Sequence, residues 1–248
     1  MQYSLHDKSA VVTGGSRGIG REIAIELGKL GASVIFTYLN SDALADEVVE
    51  TIVKAGGRCK AIRADMKEVQ AIDSIFDKTL DAFGSLDILV NNAGTFLHKP
   101  IEQVTEKEYD NIFNTNVKGL FFACQQAARK MADGGRIINI SSSVTRVMMP
   151  GYGAYGASKG GVEQITKVLA KELGHRRITV NTISPGPVDT ELFRQGKSVE
   201  QIEILANMAA LGRIGTPRDI ADVVKLLVSE EANWITGQNL CANGGFVA

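Results

Sequence analysis

Short apolar runs alternate with amphipathic segments along almost the whole of this 248-residue chain, and this alternation most constrains its fold. Residues 87–90 and 136–140 are apolar almost without interruption, which is typical of parallel strands buried on both faces. Between such runs, apolar residues recur at helical spacing, for example Val162, Ile165 and Leu169. The pattern predicts repeated βα units and therefore a parallel sheet covered by helices.

The same reading predicts seven strands, at residues 10–13, 33–37, 59–63, 86–90, 136–140, 179–183 and 238–241. No low-complexity linker or solenoid-type repeat divides the chain, so we expect one domain spanning residues 1–248. The segment at about 188–213 interrupts the alternation with a helical pattern, before a helix predicted to begin at Pro217. It follows a strand at the edge where open α/β sheets bind ligands. It is therefore either a substrate lid or a helix pair at an interface.

Composition excludes several classes of partner. The formal net charge of −1 gives no electrostatic case for binding nucleic acid or an anionic membrane. The three cysteines and three histidines are scattered, so neither a metal site nor a disulfide framework is predicted. The first ten residues carry charges where a signal peptide needs an apolar stretch, and no apolar run approaches the ~20 residues that span a bilayer. We expect a cytoplasmic protein whose partners are small molecules or further copies of itself.

A glycine-rich turn at residues 13–20, Thr-Gly-Gly-Ser-Arg-Gly-Ile-Gly, follows the first predicted strand and leads directly into the first helix. Gly14, Gly18 and Gly20 permit a tight turn and the close approach of a pyrophosphate to the free N–H groups of the helix N-terminus. A glycine-rich turn alone is weak evidence, but its position between strand and helix predicts a dinucleotide site.

The end of the second strand predicts which dinucleotide is bound. NAD sites typically place an acid there, whereas this chain has Tyr38 and Asn40, with no acid before Asp42. A carboxylate would repel a 2′-phosphate by about 4 kcal/mol at ~4 Å. Arg17 offers a planar cationic fork suited to phosphate, and Asn40 and Ser41 could add donors. These features favour NADP(H).

Tyr155 and Lys159 stand four residues apart in a predicted helix, so their side chains project from one face. An ordinary phenol, with a pKa near ~10, is a poor acid or base at neutral pH. A neighbouring ammonium favours the phenolate, so we expect Lys159 to lower the pKa of Tyr155. The pair is a candidate acid/base device that needs no metal, although the same spacing also occurs by chance in surface helices.

Five motifs in this order resemble those of the short-chain dehydrogenase/reductase family: residues 13–20, Asn-Asn-Ala-Gly at 91–94, Asn116 in Asn-Val-Lys-Gly, Ser142, and Tyr155-x-x-x-Lys159. The resemblance extends over essentially the whole chain. It implies a single-domain, doubly wound Rossmann-type α/β fold with a seven-stranded parallel sheet and a helical lid at about 188–213. It also implies a homotetramer built on helices around 105–131 and 153–173.

The resemblance assigns catalytic roles to four residues. Tyr155 would donate the proton in reduction, Lys159 would lower its pKa and hold the nicotinamide ribose, and Ser142 would hydrogen-bond the substrate oxygen. Asn116 would anchor a water that links Lys159 to solvent. The cofactor residues, from the turn and strand arguments and from the resemblance together, are Gly14, Ser16, Arg17, Gly18, Ile19, Gly20, Tyr38, Asn40, Ser41, Asp65, Met66, Asn92, Ala93, Gly94, Tyr155, Lys159, Pro185, Gly186, Val188 and Thr190.

The predicted activity is NADPH-dependent reduction of a ketone to a secondary alcohol, because the likeness is strongest to NADPH-dependent ketoreductases. Mostly apolar walls favour a hydrophobic or aromatic ketone; they are predicted to be Leu97, His98, Val144, Met148, Met149, Tyr152, Phe193 and Met208. Two alternatives remain open: a β-ketoacyl-acyl-carrier-protein reductase and a non-catalytic dinucleotide sensor. The short segment at 129–136 weakens the case for carrier-protein docking. Asn243 stands where the family usually has Asp, and we expect this to alter a local interface contact.

Overall fold

The computed structural model describes residues 4–247, and these contain one seven-stranded, all-parallel sheet in the order β3-β2-β1-β4-β5-β6-β7. The strands are β1 Ser9–Val12, β2 Ser33–Tyr38, β3 Arg58–Arg63, β4 Ile88–Asn91, β5 Arg136–Ile140, β6 Thr179–Pro185 and β7 Asn239–Ala242. All seven predicted strands are confirmed, with ends that differ by two residues at most. Residues 1–3 and 248 of the predicted domain lie outside the described part of the chain.

Ten α-helices of the described residues connect and cover the strands. They are α1 Gly18–Lys29, α2 Asp42–Lys54, α3 Val69–Phe83, α4 Glu106–Phe113, α5 Leu120–Lys130, α6 Val144–Val147, α7 Gly153–Leu173, α8 Glu191–Arg194, α9 Val199–Met208 and α10 Pro217–Val228. A π-helical turn, Asn114–Gly119, joins α4 to α5. No helix among residues 4–247 combines the length and the apolar character that a membrane crossing requires.

The core lies in two layers, one on each face of the sheet. On β1, Ala10 and Val12 pack in the layer that contains apolar residues of α1, α2 and α10. Val11 points to the opposite face, where α3, α5 and α7 pack. Because successive side chains of a strand point to opposite faces, continuous apolar strands are needed to fill both layers.

The helix predicted to begin at Pro217 is confirmed as α10. Thr216 caps it, accepting from the backbone N–H of Asp219, while the Asp219 side chain accepts from the backbone N–H of Thr216. Pro217 occupies the first turn, where its missing N–H costs no hydrogen bond. Strong start signals of this kind explain why the boundary could be read from the sequence.

The helical pattern at 188–213 is also confirmed, as α8 and α9. Thr190 caps α8, and Ser198 begins α9 in a capping box with Gln201. Several apolar side chains of the segment are exposed on its outer side, including Val199 at 67% and Ile204 at 62%. Its inner side borders a cavity at the carboxyl edge of the sheet.

Candidate active site

A cavity of about 510 Å³ lies at the carboxyl ends of the strands, where parallel α/β sheets bind ligands. One end is bordered by the glycine-rich turn and the residues that follow β2 and β3. The other end is bordered by residues that follow β4 and β5, by the start of α7 and by the 188–213 segment. The cavity therefore joins the predicted dinucleotide site to the predicted acid/base pair.

Asn92 holds the glycine-rich turn against the end of β4. Its side-chain amide donates to the carbonyl oxygens of Thr13 and Gly14 at 2.9 and 3.0 Å. Gly14 has a φ of +68°, and a Cβ added to it would lie 3.0 Å from the Cα of Ala93, so a larger residue would be both strained and crowded. Gly20 does not line the cavity; a Cβ there would overlap the Gly14 carbonyl and the Asn92 amide. Gly20 therefore lets α1 begin close against the turn, with its N-terminus at the cavity.

Arg17 and Asn40 border the cavity beyond the turn. Arg17 Nη1 lies 3.7 Å from Glu191 Oε2, and both side chains are largely exposed, so this pairing is weak. The Tyr38 hydroxyl donates to Asp42 Oδ1 at 2.8 Å. The acid nearest to the end of β2 is thus occupied by the tyrosine, while an arginine faces the cavity.

Three further predicted cofactor residues lie near this end. Ser41 does not line the cavity; it caps α2, accepting from the backbone N–H of Leu44. Asp65 lines the cavity just after β3, and its carboxylate accepts from the backbone N–H of Lys67 at 2.9 Å. Met66 is buried beside it, with Thr37 Oγ1 donating to its sulfur at 3.8 Å.

Tyr155 and Lys159 lie on the first turns of α7 and line the cavity together with Ser142. Lys159 is only 5% exposed, and its Nζ donates to the carbonyl oxygen of Ile140 at 2.8 Å. That Nζ lies 5.9 Å from the centre of the Tyr155 ring. Ser142 follows β5, and its side chain lies close enough to Tyr155 to lower the pKa of that phenol. The structure thus brings three of the four predicted catalytic residues together.

The neighbouring serines serve the scaffold. Ser141 Oγ donates to Glu163 Oε1 at 3.1 Å, which ties β5 to α7. Ser143 Oγ donates to the carbonyl oxygen of Ser184 at 3.2 Å, which ties it to β6. Of the three consecutive serines, Ser142 is the one whose side chain influences the pKa of Tyr155.

The expected net fall in the pKa of Tyr155 is not found in this structure, where the pKa is raised instead. Burial raises the pKa of Tyr155 to about 12, and the neighbouring Ser142 side chain offsets only part of this effect. Burial also lowers the pKa of Lys159 from its ordinary 10.5 to about 8. Spacing in the sequence places the two side chains together, but it does not show that the loss of water outweighs the attraction of the ammonium.

Asn116 is buried in the π-helical turn and does not line the cavity. Its Nδ2 donates to the carbonyl oxygen of Thr95 at 2.9 Å and to Ser158 Oγ at 3.1 Å, and its Oδ1 accepts from the backbone N–H of Thr95 at 2.8 Å. Ser158 Oγ in turn donates to the Tyr155 carbonyl at 2.7 Å. The Asn116 side chain therefore links the segment after β4 to the turn of α7 that carries Tyr155.

The end of β6 and the segment that follows it form a further wall of the cavity. Pro185, Gly186, Val188 and Thr190 all border the cavity, as predicted for residues beside a nicotinamide. Val188 is 5% exposed, and Thr190 caps α8 by accepting from the backbone N–H of Phe193 at 3.1 Å. Of the full predicted cofactor set, only Gly20 and Ser41 lie outside the lining.

The predicted substrate walls are only half correct. Val144, Met149, Tyr152 and Phe193 line the cavity, whereas Leu97, His98, Met148 and Met208 do not. The His98 ring packs behind Tyr152 at a centroid distance of 4.8 Å, and Met148 is 81% exposed. Sequence reasoning missed Phe96, Val147, Leu192, Lys197, Leu205 and Phe246, which line the same region. The position of Phe96 two residues after the Asn-Asn-Ala-Gly run could have revealed it; nothing comparable marked the others.

Asn243 contacts its own chain. Its Nδ2 donates to Ser143 Oγ at 3.3 Å and to the carbonyl oxygen of Val247 at 2.8 Å, and its Oδ1 accepts from the backbone N–H of Gly245 at 2.9 Å. An aspartate could accept the last of these bonds but could not donate the first two. The departure noted in the sequence thus suits a local network beside Ser142.

Comparisons with known proteins agree with this geometry. Residues 14–247 match a family model described as enoyl-(acyl carrier protein) reductase. Hydroxynaphthalene reductase-like protein Arp2 of Metarhizium majus is 41% identical, over 98% of this chain and 96% of its own length. A Serratia marcescens short-chain dehydrogenase/reductase structure superposes with a TM-score of 0.95 at 42% identity, covering 98% and 99% of the two chains. The angucycline C-6 ketoreductase LanV, solved with bound NADP, superposes with a TM-score of 0.92 at 43% identity, covering 98% of this chain and 96% of its own. The chain therefore belongs to the short-chain dehydrogenase/reductase family of oxidoreductases.

Proposed function

We propose that this protein is an NADPH-dependent reductase that converts a ketone to a secondary alcohol. One observation carries the proposal: the half-buried Ser142 and Tyr155 and the buried Lys159 share a single cavity with a glycine-rich turn that has an arginine and no strand-end acid. The similar ketoreductase LanV and a similar Burkholderia cenocepacia short-chain dehydrogenase were both solved with NADP. The cofactor, when bound, supplies the hydride.

The residues of this chain fit NADP(H) rather than NAD(H). Strand β2 ends in Tyr38 and is followed by Leu39 and Asn40, so no carboxylate stands at its end to repel a 2′-phosphate. Arg17 is the cation that would hold the phosphate, and its weak pairing with Glu191 leaves the guanidinium able to rotate towards it. The N-terminus of α1 would receive the pyrophosphate.

The chain's own acid chemistry favours reduction. With a pKa of about 12, Tyr155 is protonated at neutral pH and can give its proton to the oxygen of a bound carbonyl. With a pKa of about 8, Lys159 is mostly charged at pH 7, and an ammonium beside the phenol stabilises the phenolate that proton donation creates. Ser142 holds the same oxygen in place by a second hydrogen bond.

Two further roles belong to this proposal. Asn116 acts as a positioning residue, holding the Tyr155 turn of α7 through Ser158 and helping to anchor a water that reconnects Lys159 with solvent. Residues 188–213 act as a lid over the substrate, which is supported by Leu192, Phe193 and Leu205 on the cavity wall.

We also propose a homotetramer that works in the cytoplasm. The exposed apolar side chains Tyr109, Phe121 and Val168, on α4, α5 and α7, support contact between copies through these helices. The cysteines are free thiols, which is typical of a reducing compartment. Light scattering coupled to gel filtration tests the assembly, and imaging of a fluorescent fusion tests the location; a monomer or a secreted product would contradict them.

The decisive experiment is Tyr155→Phe, assayed with NADPH and NADH against a panel of ketones and one β-ketoacyl thioester. We expect turnover to fall by about 10²–10⁴-fold, because the proton donor is lost. NADPH should still bind, with the same change in NADPH fluorescence on binding as in the wild type. Tyr152→Phe is the matched control, since this neighbouring phenol also lines the cavity but lies outside the cluster. Full turnover by the Tyr155 variant would refute the proposal, and a strong preference for the thioester would redirect it to acyl-carrier substrates.

A further inference from the structure

The lid segment presents an ammonium group to the substrate end of the cavity. Lys197 lines the cavity between α8 and α9. Its Nζ lies 4.8 Å from the centre of the Phe193 ring and 5.4 Å from that of Phe96, and it donates to the carbonyl oxygen of Phe193 at 2.8 Å. The other cations on the wall are accounted for, because Arg17 and Lys67 lie at the adenosine end and Lys159 belongs to the catalytic cluster.

This ammonium has no carboxylate partner among residues 4–247, where no acidic side chain lies within ion-pair distance of its Nζ. The neighbouring cation Arg194 differs, because it pairs with Asp189 at its Nε and Nη2. Burial lowers the pKa of Lys197, which reflects the water it has lost. Lysine has three N–H donors, and the structure assigns one of them to the Phe193 carbonyl. The remaining donors are available to a ligand in the cavity.

Lys197 also stands close to the chemistry. Phe96 contacts Tyr155 edge to face, with ring centres 5.2 Å apart, and carries the Lys197 ammonium on its own face. The distance from the Lys197 Nζ to the Tyr155 ring centre therefore cannot exceed the sum of these distances, 5.4 Å to Phe96 and 5.2 Å from Phe96 to Tyr155. The walls between them are aromatic or aliphatic, with Phe193 and Leu205 on the lid side. A flat molecule that places its carbonyl at Tyr155 would direct its far end at Lys197.

We propose that Lys197 is a specificity-determining residue that selects ketones carrying a carboxylate, placed across an aromatic ring from the carbonyl. This inference rests on the proposed function. The carboxylate would meet a partly buried ammonium, where a charge-assisted hydrogen bond is stronger than in bulk solvent. The two phenylalanines would stack against the ring of the substrate.

The competing role for Lys197 is purely structural: its cation–π contacts with Phe96 and Phe193 would hold the lid closed whatever the substrate. The two roles differ in what they do to matched substrates. Loss of a lid clasp lowers the reduction of charged and neutral ketones alike. Loss of a carboxylate contact affects the charged ketone alone, chiefly through KM.

The test compares 4-acetylbenzoate with its neutral analogue 4-acetylbenzamide in the NADPH-dependent assay. We expect the wild type to favour the acid by at least tenfold in kcat/KM, Lys197→Met to abolish that preference, and Lys197→Arg to retain most of it. Lys78→Met, at an exposed lysine on α3 outside the cavity, is the control and should behave as the wild type. Equal losses for both substrates in Lys197→Met, or a wild type that does not distinguish them, would overturn the proposal.

A binding measurement separates this inference from the proposed function. Benzoate and benzamide contain no ketone that could accept a hydride. Their affinities for the NADPH-loaded protein, measured by calorimetry, therefore do not depend on turnover. Tighter binding of benzoate that disappears in Lys197→Met supports the carboxylate site, even if no ketone of the panel is reduced. Turnover without any benzoate preference overturns the inference and leaves the reductase proposal standing. If neither turnover nor a preference for benzoate is found, the inference and the reductase proposal are both overturned.

Discussion

Replacing Lys159 by methionine should make the protein more stable while removing its activity. The lysine is 5% exposed on α7, and burial lowers its pKa from 10.5 to about 8. Each pH unit of depression corresponds to about 1.36 kcal/mol, so keeping the charged form in the fold costs about 3 kcal/mol at neutral pH. Methionine has a similar length and no charge, and it removes this cost.

The substitution also removes the hydrogen bond from Nζ to the Ile140 carbonyl, which contributes about 1 kcal/mol. The expected net gain is therefore about 2 kcal/mol in the free energy of unfolding at pH 7. For a chain of this size, that corresponds to a rise in Tm of about 4–8 °C.

The gain should depend on pH in a defined direction. Between about pH 8 and 10.5 the unfolded chain keeps a proton on Lys159 that the folded chain has lost, so stability of the wild type rises with pH. Below about pH 8 the cost is fully present, and above 10.5 it is absent. The methionine variant lacks this dependence, so its advantage should shrink across that window.

Urea unfolding of both proteins at pH 7 and at pH 10.5 tests the prediction. Taking the difference between the two proteins at each pH removes contributions from the other groups that titrate. Lys78→Met again serves as the control, because that lysine is exposed on α3. The reasoning is refuted if Lys159→Met is less stable than the wild type at pH 7, or if its advantage is the same at both pH values.

Three other variants probe the scaffold of the site. Asn92→Ala releases the glycine-rich turn from β4 and should raise the Kd for NADPH at least tenfold in a fluorescence titration; an unchanged Kd would contradict this. Asn243→Asp cannot donate to the Val247 carbonyl, so the free energy of unfolding in urea should fall by about 1–2 kcal/mol; an unshifted midpoint would count against it. The pKa of Glu108 is lowered from 4.5 to about 2, chiefly by hydrogen bonds from Thr105. The ionised carboxylate therefore stabilises the fold above pH 4.5, and this stabilisation is lost as the pH falls to 2. Glu108→Gln should flatten the loss of Tm over that range, and an equally steep loss would rule the explanation out.

The sheet could be predicted almost residue by residue because buried parallel strands have a simple signature. Strand β5 is buried at every position and reads Arg-Ile-Ile-Asn-Ile, so its bounds are confirmed without change. Strand β6 extends two residues beyond its prediction, to Pro185. Ser184 and Pro185 end the apolar pattern in the sequence, yet Ser184 stays in the ladder by pairing with Cys241 of β7. Pairing with a distant strand is not visible in local composition.

The candidate site was predictable where backbone geometry dictates residue type, and less so where packing decides. The glycine-rich turn and the four-residue spacing of Tyr155 and Lys159 are local sequence patterns. Residues of the turn and both of these side chains line the cavity as predicted. The substrate wall depends on how α8 and α9 fold back over the sheet. His98 was predicted to line the substrate wall, but it packs behind Tyr152. Lys197 was missed because a lysine does not read as part of an apolar wall in the sequence, although its ammonium lies over the rings of Phe96 and Phe193 in the structure.

The pKa values of Tyr155 and Lys159 together argue for the direction and pH range of the reaction. Loss of solvation keeps the Tyr155 phenol protonated. The same loss of water strengthens the attraction between the Lys159 ammonium and the phenolate that forms when the proton leaves. Reduction therefore needs a neutral Tyr155 and a charged Lys159, a combination that holds below about pH 8. We expect kcat/KM for the ketone to be flat between pH 6 and 7.5 and to fall by up to about tenfold per unit above pH 8, with the oxidation of the alcohol rising over the same range. A ketone reduction rate that climbs through pH 9 would show that the charge on Lys159 is not what the proton transfer requires.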